Sequence, residues 1–273
     1  MNDVCLKKLD IDFIYKFPFC VDEKDTGIGA DLARDGSREE DAVRKTVKIL
    51  KEMETENPVI FEIGANIGYY CMYEALTRPC RIYAIEPVTS NLELCIHNTK
   101  TINKVEDILF YELAIGKENG NLKLNIMNDS NAGTMMESEN VSGWYQAKME
   151  QNTVKVVEVP TETLDNFSGR LGVVPDFIRL DIEGYETEIF DSGIATLHYM
   201  PYASWLFIEM HQSVYKEPRD TSEDLIMKLY GYQFKPWYVD KNFVGNMKLN
   251  TVINLPIFNQ DKSSPHVFFK KVK

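Results

Sequence analysis

VIFEIGANIGYY, residues 59–70, decides the fold. The run Val59-Ile60-Phe61 reads as a buried strand. Ile67, Tyr70, Cys71, Tyr73 and Glu74 fall at helical spacings. An acid, two glycines and an asparagine therefore carry the chain from strand to helix within a few residues. A turn that sharp brings backbone N–H groups and a helix N-terminus towards a ligand.

Working outward, the same rhythm repeats. CRIYAIEP (80–87) reads as a second strand, Asn91 to about Lys100 as a helix, and ILFYELAIG (108–116) as a third strand. Three strands and two helices in so short a span indicate a parallel, doubly wound α/β sheet. Upstream, Ser37 and Glu40 fit a capping box with Ser37 as N-cap, and Val43, Val47, Leu50 and Met53 form one helix face ended by Asn57-Pro58. Residues 1–36 read as a turn-rich arm with one short amphipathic element. Downstream, NLKLNIM and VKVVEVPTETL alternate like half-exposed strands, with a polar, turn-rich stretch between them. The rhythm resumes with a strand at 176–181, a helix to about 191, a strand in SWLFIEMH (204–211) and a helix from Thr221 to Tyr230 closed by Gly231. GYQFKPWYV and HVFFKKV form a last pair of strands. No linker or repeat interrupts the pattern. The expected division is an N-terminal extension and capping helix over 1–57 and one domain over 58–273.

Composition narrows the function. With 273 residues the chain can bury a sizeable core. Its net charge of −12 repels nucleic acid and anionic lipid over most of the surface, so neither is expected as the main partner. Five cysteines, none in a C-x-x-C, read as buried free thiols rather than a disulfide framework. The N-terminus lacks an apolar core of signal-peptide length, and no window approaches ~18 continuous apolar residues. No membrane span and a cytoplasmic location are expected.

Four clusters carry chemistry. Glu62-Ile63-Gly64-Ala65-Asn66-Ile67-Gly68 is one residue shorter than the dinucleotide fingerprint, and asparagine replaces its middle glycine, so the pyrophosphate pattern is broken. Glu62 would repel a pyrophosphate but suits an ammonium or sulfonium. S-adenosylmethionine carries both and no phosphate. Glu86 ends the second strand, where a carboxylate can accept hydrogen bonds from two ribose hydroxyls. Asp181 follows the strand 176–181, placed to meet the cofactor's amino-acid end or an acceptor, while Glu183 and Glu186 also suit a helix dipole. Glu209 and His211 end the next strand, and His211 is a candidate general base. His97, His198 and His266 read as incidental. Asp181, Glu209 and His211 are also of the types that hold a divalent metal, but nothing in their spacing is diagnostic, and no metal ligand is assigned.

IFEIGANIGYY, RIYAIEP, VPTETLD, FIRLDIEGYETEIFDSG and WLFIEMH come in the order seen in FkbM-type methyltransferases, which the chain resembles over about residues 25–235. That family carries D-x-G-A-N-x-G, then E-P, then K-x-D-x-E-G-x-E. Here Glu62 stands for the aspartate and Arg179 for the lysine, each keeping its charge. The resemblance implies a Rossmann-like class I methyltransferase fold, with a mostly parallel seven-stranded sheet and an antiparallel last strand. It implies S-adenosylmethionine as cofactor and O-methylation of a sugar, glycan or natural-product small molecule. By position Glu62, Gly64, Ala65, Asn66 and Gly68 would hold the methionine end, Glu86 the ribose and Ala114 the adenine. Asp181 and Glu183 would face the reaction centre, with Asp181, Glu209 and His211 as catalytic candidates. The segment 128–152, with Trp144 and Tyr145, would close over the acceptor. Two rival readings are an NAD-type oxidoreductase, which needs the longer glycine fingerprint, and a non-catalytic nucleoside-binding module.

Overall fold

The computed structural model describes residues 6–127, 133–134, 142–259 and 264–273. A hairpin of β1 (Leu6–Asp12) and β2 (Lys16–Asp22) leads into α1 (Ile28–Asp35) and α2 (Glu40–Glu52). The alternating units follow: β3 (Val59–Ile63), α3 (Tyr69–Thr77), β4 (Arg81–Ile85), α4 (Thr89–Ile96) and β5 (Ile108–Tyr111). A side layer then forms from β6 (Ala114–Ile115), β7 (Gly120–Met127), β8 (Gly133–Thr134), α5 (Gly143–Asn152) and β9 (Thr153–Glu162). The chain returns through α6 (Leu164–Leu171), β10 (Phe177–Leu180), α7 (Glu186–Asp191), α8 (Ile194–Tyr199), β11 (Trp205–Glu209) and α9 (Pro218–Gly231). It closes with β12 (Phe234–Val239), β13 (Asn242–Phe243), α10 (Leu249–Ile253) and β14 (His266–Lys271).

The main sheet runs β13-β12-β14-β11-β10-β3-β4-β5, a Rossmann-like, doubly wound α/β arrangement. From β5 to β11 every pairing is parallel, and β14 alone is inserted antiparallel between β11 and β12. The two-residue β13 adds an eighth strand at one edge of the seven. A second sheet, β6-β9-β7-β8, flanks it.

Period-two alternation decides which face each residue covers. Ile60 packs with the N-terminal hairpin, α2 and α3, while Phe61 and Ile63 pack with α6, α7 and α9 on the other side. Large side chains such as Phe61, Phe167, Phe177 and Phe207 are wholly buried, each contributing about 1.5–3 kcal/mol of transfer free energy. Glu62 breaks the pattern: it is a wholly buried acid between two apolar neighbours, on the α3 face.

Several sequence expectations need correction. Residues 6–22 form a hairpin, not a turn-rich arm, and only Ile28–Asp35 is the short helix. Ser37 is not the N-cap of α2. Its hydroxyl donates to the Glu40 carboxylate at 2.7 Å, but Glu39 takes the cap position in left-handed backbone (φ 50°). The Glu39 carboxylate is held by Arg38 and Tyr70, which turns that residue away from the helix. The expected third strand is two: it divides at Glu112-Leu113, and β6 leaves the main sheet to pair with β9. The fourth helix begins at Thr89 and widens over His97–Ile102 into a π-type turn. The last long helix begins at Pro218 and includes Gly231. Of the polar stretch 128–151, residues 143–151 belong to α5, capped by the Ser142 hydroxyl accepting from Tyr145 N–H. Most of the rest of the expected lid segment lies outside the described residues.

The four described cysteines, Cys20, Cys71, Cys80 and Cys95, are free and buried. No helix among the described residues is long and apolar enough to cross a membrane.

Candidate active site

The turn after β3 is built around three left-handed residues, Gly64 (φ 85°), Asn66 (φ 48°) and Gly68 (φ 88°). Gly64 and Ala65 both donate their N–H groups to the Ile85 carbonyl at 3.0 Å, which pins the turn to the end of β4. At Gly64 a Cβ would sit 1.9 Å from the Asp181 carbonyl oxygen, so only glycine lets this turn lie against the end of β10. Asn98, in the π-type turn, donates to the Ile67 carbonyl at 2.9 Å and exchanges two hydrogen bonds with the Cys20 backbone. The N-terminal hairpin is thereby tied to the turn after β3. π-type turns often occur at functional positions.

Glu86 ends β4 and is buried. One carboxylate oxygen accepts the Asn66 N–H and the other the Val88 N–H, each at 2.9 Å. Burial pushes this carboxyl up to about 7, against those two hydrogen bonds.

Strand register sets the next layer. Arg179 of β10 lies opposite Glu62 on one side and Phe207 on the other. Its guanidinium donates to Glu62 at 2.7 Å and to Asp181 at 2.8 Å, and stacks 3.7 Å from the Tyr70 ring centroid. Burial disfavours its charge, but Glu62 and Asp181 outweigh that and hold it well above its ordinary value. Behind Glu62 lies Glu74, also wholly buried, whose carboxyl is raised well up by burial and then by the Glu62 charge.

Past Asp181, the chain makes a second left-handed acid, Glu183 (φ 54°). Non-glycine residues in that region cluster at functional positions. His211 stands behind Asp181 and Glu183. Its Nδ1 lies 2.7 Å from the Glu186 carboxylate, which also accepts from Tyr215 O–H and from Gly184 N–H. Its Nε2 faces Asp181 at 3.7 Å, Glu183 at 3.6 Å and Glu209 at 3.6 Å. Burial disfavours an imidazolium, but Glu183, Glu186 and Glu209 overcome it and hold His211 well above its ordinary value. Burial, with repulsion from Asp181 and Glu209, lifts Glu183 to about 7.

A single cleft brings together Gly64, Ala65, Asn66, Glu86, Ala114, Asp181 and Glu183 of the sequence candidates. Its walls also hold Arg38, Glu39, Leu113 and Leu124. Glu62 and Gly68 are not on that surface: Glu62 reaches the cleft through Arg179, and Gly68 packs against Cys95 and Thr99. Glu209 and His211 back the cleft rather than line it. Arg38 and Glu39 carry no sequence signal for the cleft, because they fall inside the capping-box pattern at the start of a helix. Sequence reading also assigns Glu186 to a helix dipole, whereas that carboxylate is wholly buried on His211. His266, read as incidental, points Nε2 at Glu209 from 3.6 Å. The alternation in HVFFKKV, pairing with the strand that ends in Glu209, could have placed it.

A family model described as the methyltransferase FkbM domain matches residues 62–235. No curated protein sequence matches the chain. Among solved structures, an rRNA methylase from Streptococcus thermophilus is 9% identical, with 85% of this chain and 97% of that one covered, at a TM-score of 0.48. A candidate S-adenosylmethionine-dependent methyltransferase from Streptococcus mutans is also 9% identical, with 94% and 53% covered, at 0.50. A second Streptococcus mutans candidate methyltransferase, solved with SAH, is 9% identical, with 86% and 99% covered, at 0.48. At such identities the likeness concerns the fold alone.

Proposed function

The chain belongs to the FkbM methyltransferase family, and we propose that it transfers the methyl group of S-adenosylmethionine to a hydroxyl oxygen of a sugar, glycan or natural-product small molecule. One juxtaposition carries this reading: a buried strand-end carboxylate, Glu86, shares a cleft with Asp181 and Glu183.

The residues suit the cofactor. The Glu86 oxygens accept the Asn66 and Val88 N–H groups and a hydrogen bond from the Asn91 side chain, an arrangement that holds the carboxylate in place for ribose hydroxyls to donate to it. Leu113, Ala114 and Leu124 offer an apolar wall for adenine. When bound, the cofactor supplies a methyl on a sulfonium, and transfer to the acceptor oxygen leaves the C–S electron pair on sulfur. The chain supplies alignment and a place for the acceptor's proton. Asp181, Glu183, Glu209 and His211 act as one unit that takes it, for about 10²–10⁴-fold in rate.

The acceptor reading also draws on charge. A surface of net charge −12 favours a neutral or cationic small molecule over nucleic acid. A cytoplasmic location belongs to the same proposal and is supported by the buried free thiols.

Calorimetric titration with S-adenosylhomocysteine and NAD tests the cofactor. The first is expected to bind and the second not. In folded protein Glu86 keeps a proton that the unfolded chain loses between about pH 4.5 and 7, so its contribution to apo stability falls as pH rises through that window. Ribose hydroxyls donate to the ionised form. S-adenosylhomocysteine affinity should therefore rise by up to about tenfold per pH unit towards 7 and then level off. Glu86→Gln should flatten that profile and weaken binding at pH 8. Equal affinity in the variant would remove Glu86 from the site. Labelled methyl transfer to a panel of sugars and glycans, with RNA alongside, tests the acceptor. Label appearing in RNA alone would overturn that half.

A further inference from the structure

The geometry points to a divalent-cation site formed by Asp181, Glu183 and the Nε2 of His211, with Glu209 as an outer carboxylate. His211 is more than nine-tenths buried, with 8% of its side chain exposed, and Nε2 has no hydrogen-bond partner among the described residues. It is aimed at three carboxylate oxygens, all 3.6–3.7 Å away. Those distances are too long for N–H···O bonds, which cluster near 2.9–3.0 Å. They suit donors sharing an ion. Two ligand atoms, each about 2.2 Å from one cation, lie about 3.1 Å apart in an octahedral site and about 3.6 Å in a tetrahedral one, so the groups close by about half an ångström on an octahedral ion such as Mn²⁺. The candidate ligand atoms of Asp181, Glu183 and His211 all fall within 4.8 Å of one another.

The other side of the ring supports the same conclusion. Metal-bound imidazoles almost always donate their second N–H to a carboxylate or carbonyl. Here Glu186 takes Nδ1–H at 2.7 Å and is itself fixed by Tyr215 and the Gly184 N–H. That arrangement keeps one ring proton on Nδ1, and an ion at Nε2 would take the place of the second proton that the three carboxylates otherwise favour.

Two carboxylates and one imidazole, with the outer carboxylate of Glu209, make a mostly hard, oxygen-rich set, which favours Mn²⁺ or a similar ion over the thiolate-seeking metals. Asp181 and Glu183 are the more open members, with 24% and 32% of their side chains exposed, and both line the cleft. Free coordination positions therefore face the place proposed for the acceptor. An acceptor hydroxyl bound there would have its pKa lowered. This role rests on the methyl-transfer reading, whereas the ion site does not.

The test titrates Mn²⁺ into the full chain and follows the free-ion electron paramagnetic resonance signal. S-adenosylhomocysteine binding is measured on the same preparation. One Mn²⁺ per chain is expected, with Glu183→Gln and His211→Gln each weakening it about tenfold or more. Circular dichroism confirms that each variant is folded, and Glu54→Gln, on the exposed surface, serves as control. A free-ion signal that persists while S-adenosylhomocysteine still binds would overturn the site. So would Mn²⁺ binding that neither variant weakens. Mn²⁺ bound without S-adenosylhomocysteine would keep the ion site and remove the cofactor reading. Failure of both ligands would remove both.

Discussion

Gly64→Ala is expected to abolish S-adenosylhomocysteine binding and to destabilise the fold. The new Cβ would lie 1.9 Å from the Asp181 carbonyl oxygen, a backbone atom that cannot rotate aside. Left-handed backbone at this position costs an L-residue about 1–2 kcal/mol, and overpacking adds about 1–3 kcal/mol. Relief requires the β3 turn to move away from the end of β10. That movement separates the Asn66 N–H from Glu86 and displaces Asp181 together. Calorimetry and urea unfolding measure the two effects. A variant that binds S-adenosylhomocysteine as tightly as the parent would show that the turn takes no part in the site.

The second large effect is expected from Arg179→Met. Glu62 is wholly buried, and Arg179 is the cation that compensates it, at 2.7 Å. Breaking such a pair from one side leaves a buried charge and costs about 3–5 kcal/mol. Replacing both partners, Glu62→Gln with Arg179→Met, should restore most of that stability, because neither charge is then stranded. Arg179→Lys should fall between. A single ammonium cannot bridge Glu62 and Asp181 while stacking on Tyr70. Four urea unfolding curves give the coupling between the two residues. A double variant no more stable than Arg179→Met would mean that the loss comes from the Tyr70 stack or from Asp181, the other carboxylate Arg179 holds, and not from Glu62.

The parts of this molecule that follow simple periodicities were legible in its sequence. Val59–Ile63, Arg81–Ile85, Phe177–Leu180 and Trp205–Glu209 are apolar runs ended by turn residues, and each is a buried parallel strand. Glu86 was legible because strand-end acids have a fixed place in such folds. The rest depended on contacts distant in sequence. Glu39 sits two residues after a plausible cap, so local reading makes it helical, while Arg38 and Tyr70 pull it into left-handed backbone. Glu186 looked like a first-turn acid, and only the path of the chain through Gly184 to His211 reveals its partner. The break at Glu112-Leu113 has no local signal, because β6 leaves the sheet to meet β9, about 47 residues later.

The position of β14 has a consequence for synthesis. The strand of this sheet latest in sequence among the described residues, His266–Lys271, is not at an edge but between β11 and β12. Until it arrives, those two neighbours each present an unpaired edge, the kind that pairs with other chains. Domains with their sheet completed in order can fold as they emerge, but this sheet must wait for His266–Lys271. A nascent chain stopped before His266 is therefore expected to form strands β3, β4 and β10 yet aggregate through β11 and β12.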